Sequence, residues 1–178
     1  MNIILISGKA ESGKDTFAMC LKEELEKKNY RVLIMHFADE LKFYCQKYFG
    51  WDGKKDDAGR SLLQRIGTDV VRAKDDQYWV ESVGRFLNMF DDQFDFVLIP
   101  DTRFLSEIRY FVSPWSDHIT TTVRITRPDH KNGLSVEQQN HKSETELDSY
   151  EFDYQIRMRE GLIWIPGEAG KFCKYYGF

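Results

Sequence analysis

The chain has 178 residues, 42% of them hydrophobic and 15% aromatic, enough for the core of one domain and too much for a disordered segment. A formal net charge of −4 excludes the broad basic surface of a nucleic-acid-binding protein, yet leaves room for small phosphorylated ligands held by a local cluster of cations. No apolar run reaches membrane-spanning length, and Cys20, Cys45 and Cys173 are widely spaced without a Cys-x-x-Cys pair, which suits packed thiols in a reducing compartment.

The first predicted element is a buried parallel strand, Ile3 to Ser7, which runs directly into Gly8-Lys9-Ala10-Glu11-Ser12-Gly13-Lys14-Asp15-Thr16. Phe17, Cys20, Leu21 and Leu25 then recur at helical spacing. Strand, Gly-x4-Gly-Lys and helix form the context in which a phosphate-binding loop works. The glycines let the backbone curl so that successive N–H groups face phosphate oxygens, the helix N-terminus adds partial positive charge, and Lys14 reaches the outer phosphates. Gly8, Ala10, Ser12, Gly13, Lys14, Asp15 and Thr16 are therefore the expected nucleotide-phosphate contacts. Asp15 stands where the usual pattern has a Mg²⁺-binding Ser or Thr, and the hydroxyl of Thr16 comes one place later. With the strand starting at once, no room is left for a signal peptide, and the expected location is cytoplasmic.

A second strand is expected over Arg31–Phe37, followed by a helix from Ala38 to Phe49. The start of that helix, with Asp39 and Lys42, lies where a ligand crevice opens beyond a strand's carboxyl end. Gly50 to Gly59 reads as a loop or flap. Helices follow over Arg60–Arg72, interrupted near Gly67-Thr68, and over Asp76–Phe90. Arg60, Gln64, Thr68 and Arg72 carry groups able to grip an acceptor's phosphate and base edge, although the three arginines Arg60, Arg65 and Arg72 on one helix also suit a solvated face. Trp51, Trp79, Trp115 and Trp164 read as packing residues, with Trp79 the best candidate for base stacking.

The third strand, Phe94–Ile99, ends in Pro100-Asp101-Thr102-Arg103. A carboxylate at the end of a buried strand is where phosphate-loop enzymes position Mg²⁺; the alternative role for Asp101 is a helix N-cap. Arg103 suits either a pair with Asp101 or bidentate grip on a second phosphate. A short helix over Leu105–Val112, a fourth strand over Thr120–Ile125, a fifth over Gly161–Ile165 and a last helix over Glu168–Tyr175 complete the chain. Alternating strands and helices predict one domain, residues 1–178, with a five-stranded parallel sheet between helical layers. The polar excursion after Arg127, about 128–147, has the length of a lid that excludes water and brings a cation to the transferring group. His130 and His141 read as lid-surface residues, and His36 as structural. Arg124 is the weaker lid-side candidate beside Arg127.

The segments GKAESGKDT, FADELK, LLQRIGTDVVR, IPDTRFLSEI and HKSETELD, in that order across nearly the whole chain, resemble the phage-type deoxynucleoside monophosphate kinases. That resemblance implies transfer of the γ-phosphoryl of ATP to a deoxynucleoside monophosphate, with Mg²⁺. It implies Lys14 and Asp15 at the ATP·Mg²⁺ site, Asp101 and Arg103 at the reaction centre, Arg127 as a lid-side phosphate ligand, and the 60–72 segment within an acceptor region at about 38–90. Where the family often has Pro-Asn-Glu after Asp-x-Arg-Phe, this chain has Leu105-Ser106-Glu107. Animal-type phosphomevalonate kinases are the nearest alternative, since their loop also ends Gly-Lys-Asp, and a non-catalytic ATP-binding module is a third. A GTPase switch would need an Asn-Lys-x-Asp element, which does not occur. The expected partners are small nucleotide substrates, with homodimer formation left open.

Overall fold

A computed structural model describes residues 1–113, 118–158 and 163–178. Five parallel strands, β1 (Asn2–Ser7), β2 (Val32–Ile34), β3 (Phe96–Thr102), β4 (Ile119–Thr126) and β5 (Tyr154–Arg157), form one sheet in the order β2-β3-β1-β4-β5. Strand β1 is central because every residue from Ile3 to Ser7 is buried, so both of its faces need cover.

Alternation along β1 divides the core in two. Ile4 and Ile6 pack with Phe17, Leu21 and Leu25 of α1 (Lys14–Glu26) and with Ala169 and Phe172 of α8 (Ile165–Tyr176). On the opposite face, Ile3 and Leu5 pack with Val80, Val83 and Leu87 of α4 (Tyr78–Met89) and with Ile108 and Phe111 of α5 (Leu105–Phe111). A third cluster, Leu41, Cys45, Trp51, Ile66 and Trp79, ties α2 (Ala38–Tyr48) to the helical segment that follows it. Cys45 and Cys173 are buried, and all three cysteines are free thiols.

The expected strand at 161–165 is corrected. Residues 161 and 162 lie outside the described residues, Ile163 and Trp164 form a turn, and Ile165 begins α8. The fifth strand is Tyr154–Arg157, pairing with Val123–Thr126. Being an edge strand, it buries only Ile156 deeply, so it lacks the continuous apolar run that marks an inner strand. Trp164, expected to pack, is 57% exposed, whereas Trp51 and Trp79 are buried; Trp115 lies outside the described residues. Strand β2, Val32–Ile34, is shorter than the expected 31–37, although the Met35 amide still donates to the Leu98 carbonyl of β3 at 3.1 Å. The 60–72 helix divides into α3 (Asp57–Gln64) and a π-helical stretch, Arg65–Arg72. Among the described residues, no helix is long and apolar enough to cross a membrane.

Candidate active site

The carboxyl ends of β1 and β3 open onto a cavity of about 370 Å³ at the point where the chain departs from the central strand in both directions. The phosphate loop forms its floor. Gly8 must be glycine for lack of space: a Cβ there would sit 2.4 Å from the Ile125 carbonyl oxygen and 2.5 Å from Ser12 Oγ. Ser12 Oγ is buried with no hydrogen-bond partner, and no side chain caps the start of α1. Lys14 is only 6% exposed, and its Nζ donates to the carbonyls of Gly8 (2.8 Å) and Lys9 (2.7 Å). Burial, together with the Arg103 charge, pushes the Lys14 ammonium down to about 7. An orphaned hydroxyl, a cradle that admits no Cβ and a desolvated lysine are the features expected of a receptor for an oligophosphate anion.

Asp15 follows in the first turn of α1, exposed, with Oδ1 3.0 Å from His36 Nε2. His36 Nδ1 lies 3.5 Å from Asp39 Oδ2, and Asp39 in turn pairs with Lys42. Burial opposes charging of His36, but hydrogen bonds to Asp15 and Asp39 outweigh it and raise the imidazole to about 9. The His36 hydrogen bond is also the main reason the Asp15 carboxyl is held low. Asp101 accepts from the Phe37 amide through Oδ1 and from the Ala38 amide through Oδ2, both at 3.0 Å. It therefore caps α2 from across the sheet rather than the helix next to it in sequence. Among the described residues, no group of three or more His, Cys, Asp or Glu is set to hold a metal ion. Asp15, exposed toward the phosphate loop, is nonetheless a hard oxygen donor that fits Mg²⁺.

A second wall comes from α2, α3, the π-helical stretch, α4 and the residues that precede α2 and α5. Phe37, Leu41, Leu63, Trp79 and Phe104 supply its apolar surface, with Gln64 and Thr68 as neutral polar groups. The π-helical stretch can lie against α2 because residue 67 is glycine; a Cβ there would come within 2.5 Å of Leu41 Cδ2. The Gly67 carbonyl accepts from Trp79 Nε1 at 3.0 Å, which fixes the indole in the wall. Irregular helical turns of this kind are frequent at functional sites.

The cavity brings together Ala10, Lys14, Asp15, Lys42, Arg60, Gln64, Thr68, Arg72, Trp79, Asp101 and Arg103 from the residues singled out in the sequence. Gly8, Ser12, Gly13, Thr16, Asp39 and Arg127 are outside its lining. Arg60 pairs with Glu11 at 3.2 Å. Arg72 is buried over the Phe104 ring and paired with Glu107, whose carboxyl burial pushes up to about 7 against the pull of Arg72. Arg127 donates to the Glu11 carbonyl at 3.2 Å, and its Nε is buried without a partner. Arg124 is engaged by Ser7 Oγ and Asp148. Sequence reasoning passed over Glu11, Lys55, Glu107 and Glu144 as site residues and read His36 as structural, yet all five line the cavity. For His36, the signal was its place at the end of a strand next to the Phe37-Ala38-Asp39 entry.

The segment expected as a lid carries two short helices, α6 (Val136–Asn140) and α7 (Lys142–Thr145). Leu134, Ser143 and Glu144 reach the lining. Gln138, buried, approaches Ser61 Oγ and the Asp57 carbonyl of α3 at 3.4 Å.

No protein-family profile matches the chain. A curated relative, phosphomevalonate kinase of Drosophila melanogaster, is 28% identical over 135 residues, covering 72% of this chain and 70% of its own length. Among solved structures, the Mycobacterium tuberculosis APS kinase in complex with AMPPNP and APS aligns over 99% of this chain and 98% of its own, at 14% identity and a TM-score of 0.54. Shikimate kinase from Aquifex aeolicus aligns over 98% of each chain, at 13% identity and a TM-score of 0.53. At such identities the likeness is one of fold.

Proposed function

We propose that this chain, which has the fold of the phosphate-loop kinases, transfers the γ-phosphoryl group of ATP to the phosphate of a deoxynucleoside 5′-monophosphate. The observation that carries the reading is one cavity lined both by Lys14 and the phosphate loop and by the apolar groups Phe37, Leu41, Leu63, Trp79 and Phe104, with the neutral Gln64 and Thr68. A planar base fits such a lining by stacking, and neutral donors and acceptors read its edge.

In this reading an oxygen of the acceptor phosphate attacks the γ-phosphorus while the bond to the β–γ bridging oxygen breaks, leaving ADP. The loop amides and Lys14 hold the donor, and displacement of Nζ from the Gly8 and Lys9 carbonyls frees its charge for phosphate oxygens. Arg103 and Arg60 neutralise the acceptor and the moving group, since phosphoryl transfer needs positioning and charge compensation more than covalent help. Asp15 and Asp101 are the carboxylates that would hold Mg²⁺, which when bound would supply neutralisation of the donor phosphates. The lid residues Leu134, Ser143 and Glu144 keep water from competing as acceptor.

A second reading, phosphorylation of phosphomevalonate, is favoured by the Drosophila relative. Both acceptors are phosphate monoesters, so the donor half of the site serves either. They differ at the other end, where a carboxylate would call for a spare cation. The neutral Gln64 and Thr68 beside the apolar groups suit an uncharged base, whereas Lys55, which also lines the cavity, is the cation a carboxylate would need in the second reading. ADP release with ATP and Mg²⁺ over dGMP, dTMP, dCMP, dAMP, their ribonucleotides and phosphomevalonate tests the assignment. Highest kcat/KM on a deoxynucleotide supports it. Preference for phosphomevalonate transfers the site to the second reading, and tight ATP binding with no acceptor turned over makes the chain a nucleotide-binding module.

A further inference from the structure

The most unusual group in the cavity is an acid. Glu144, in α7 of the lid, has a side chain only 5% exposed and lies against the loop that is built to receive phosphates. Burying a carboxylate is costly, and a negative charge beside an anion site works against binding. Its surroundings show what it gains. Oε2 accepts from the Ala10 amide of the phosphate loop at 2.9 Å, while Oε1 pairs with the guanidinium of Arg103. Arg103 Nη1 also donates to the Ser143 carbonyl at 3.0 Å, and Lys9 Nζ donates to the Glu144 carbonyl at 2.6 Å. The two following alternate acids extend the attachment: Glu146 accepts from the Leu105 amide at 2.8 Å, and Asp148 pairs with Lys9 and Arg124.

We propose that Glu144 is a positioning residue that fixes Arg103 relative to the phosphate loop, one carboxylate spanning the Ala10 amide and the guanidinium. This rests on the reading of the cavity as a phosphoryl-transfer site, whichever phosphate monoester it accepts. Glutamine could satisfy the Ala10 amide equally well. A glutamine has one acceptor oxygen where the carboxylate has two, so it cannot hold the guanidinium as well, and among the described residues the Arg103 guanidinium pairs with no other acid. The carboxylate thus sets the separation between donor cradle and arginine before either substrate arrives. Its location in the lid makes that geometry conditional on closure.

The decisive variant is Glu144→Gln, which keeps the volume and the acceptor for Ala10 but loses the hold on Arg103. AMPPNP should bind it as tightly as the parent or more tightly, because a repulsive charge is gone. Its kcat for transfer should fall roughly 10- to 100-fold, the scale on which a misplaced catalytic group is felt. In a double-mutant cycle, adding Glu144→Gln to Arg103→Met should change kcat little further, since residues acting through one another are not additive. Should Glu144→Gln not fold, Glu144→Asp keeps the charge but withdraws it by one methylene and is expected to show the same split between binding and kcat. Parent-like kcat in the folded variant, or additive losses in the cycle, overturns the inference. Parental activity is measured first: if the parent phosphorylates no acceptor, the proposed function fails, whereas activity that survives Glu144→Gln defeats the Glu144 role alone.

Discussion

Lys14 offers a prediction whose size follows from its surroundings. Burial, then the Arg103 charge, lowers its ammonium from the ordinary lysine range to about 7 in the free protein. Donor phosphates would restore the charge, so the nucleotide complex holds a proton that the free protein has lost above pH 7. Binding then takes up a proton, and affinity must fall as pH rises, by about a factor of ten, or about 1.4 kcal/mol, for each unit above 7. AMPPNP titrations by calorimetry between pH 7 and 9, in two buffers of different ionisation enthalpy, should show this decline with uptake of about one proton per nucleotide. The terminal phosphate carries its full charge in the upper part of that window, which is where the decline is read. His36, raised to about 9 by its hydrogen bonds to Asp15 and Asp39 against the effect of burial, contributes only near the upper end. Lys14→Met should bind weakly with the Lys14-linked proton uptake gone, and Lys14→Arg should lose the pH dependence because a guanidinium stays charged. A flat affinity profile with no proton uptake in the parent would show that Lys14 is already charged in the free protein, and the reasoning from burial would fail.

Gly8→Ala puts a methyl 2.4 Å from the Ile125 carbonyl. Overpacking of this kind costs roughly 1–3 kcal/mol, so nucleotide affinity should fall about tenfold, and parental affinity in a folded variant would show that the loop can give way. Arg72→Met should act on stability rather than on acceptor KM, because removing one partner of a buried pair costs about 3–5 kcal/mol. The loss should shrink as pH falls from 8 to 6 and Glu107 takes up a proton; an unchanged unfolding midpoint with a raised acceptor KM would make Arg72 a substrate ligand instead. Arg127→Met should lower kcat, by about 10³-fold if this arginine reaches the transferring phosphoryl. Steady-state kinetics that show only a higher ATP KM would leave it as the phosphate-loop contact it makes through Glu11.

Local information in the chain was sufficient for the phosphate loop and the layers around it. The apolar run Ile3–Ile6, the paired glycines with Lys14 and the helical repeat of Phe17, Leu21 and Leu25 each act within a few residues, and each is found where its pattern places it. Inner strands buried on both faces leave the same mark in composition, which is why β1, β3 and β4 were legible. Strand β5 leaves none: Tyr154–Arg157 is a strand because β4 offers it a row of partners, and its sequence reads as ordinary polar chain. The division of labour among charged side chains was likewise a matter of tertiary structure. Asp101 finds the amides of Phe37 and Ala38, more than 60 positions away in the chain, Arg72 finds Glu107, and Glu144 is carried by the lid onto Ala10 and Arg103. Nothing in the spacing of those residues announces their partners, because an ion pair carries no periodicity and its energy depends on burial, which only the assembled fold sets. The sequence by itself determined the glycine-rich loop between β1 and α1; the packing of α2, the π-helical stretch and the 128–147 segment decided which cations are tied up by acids around it.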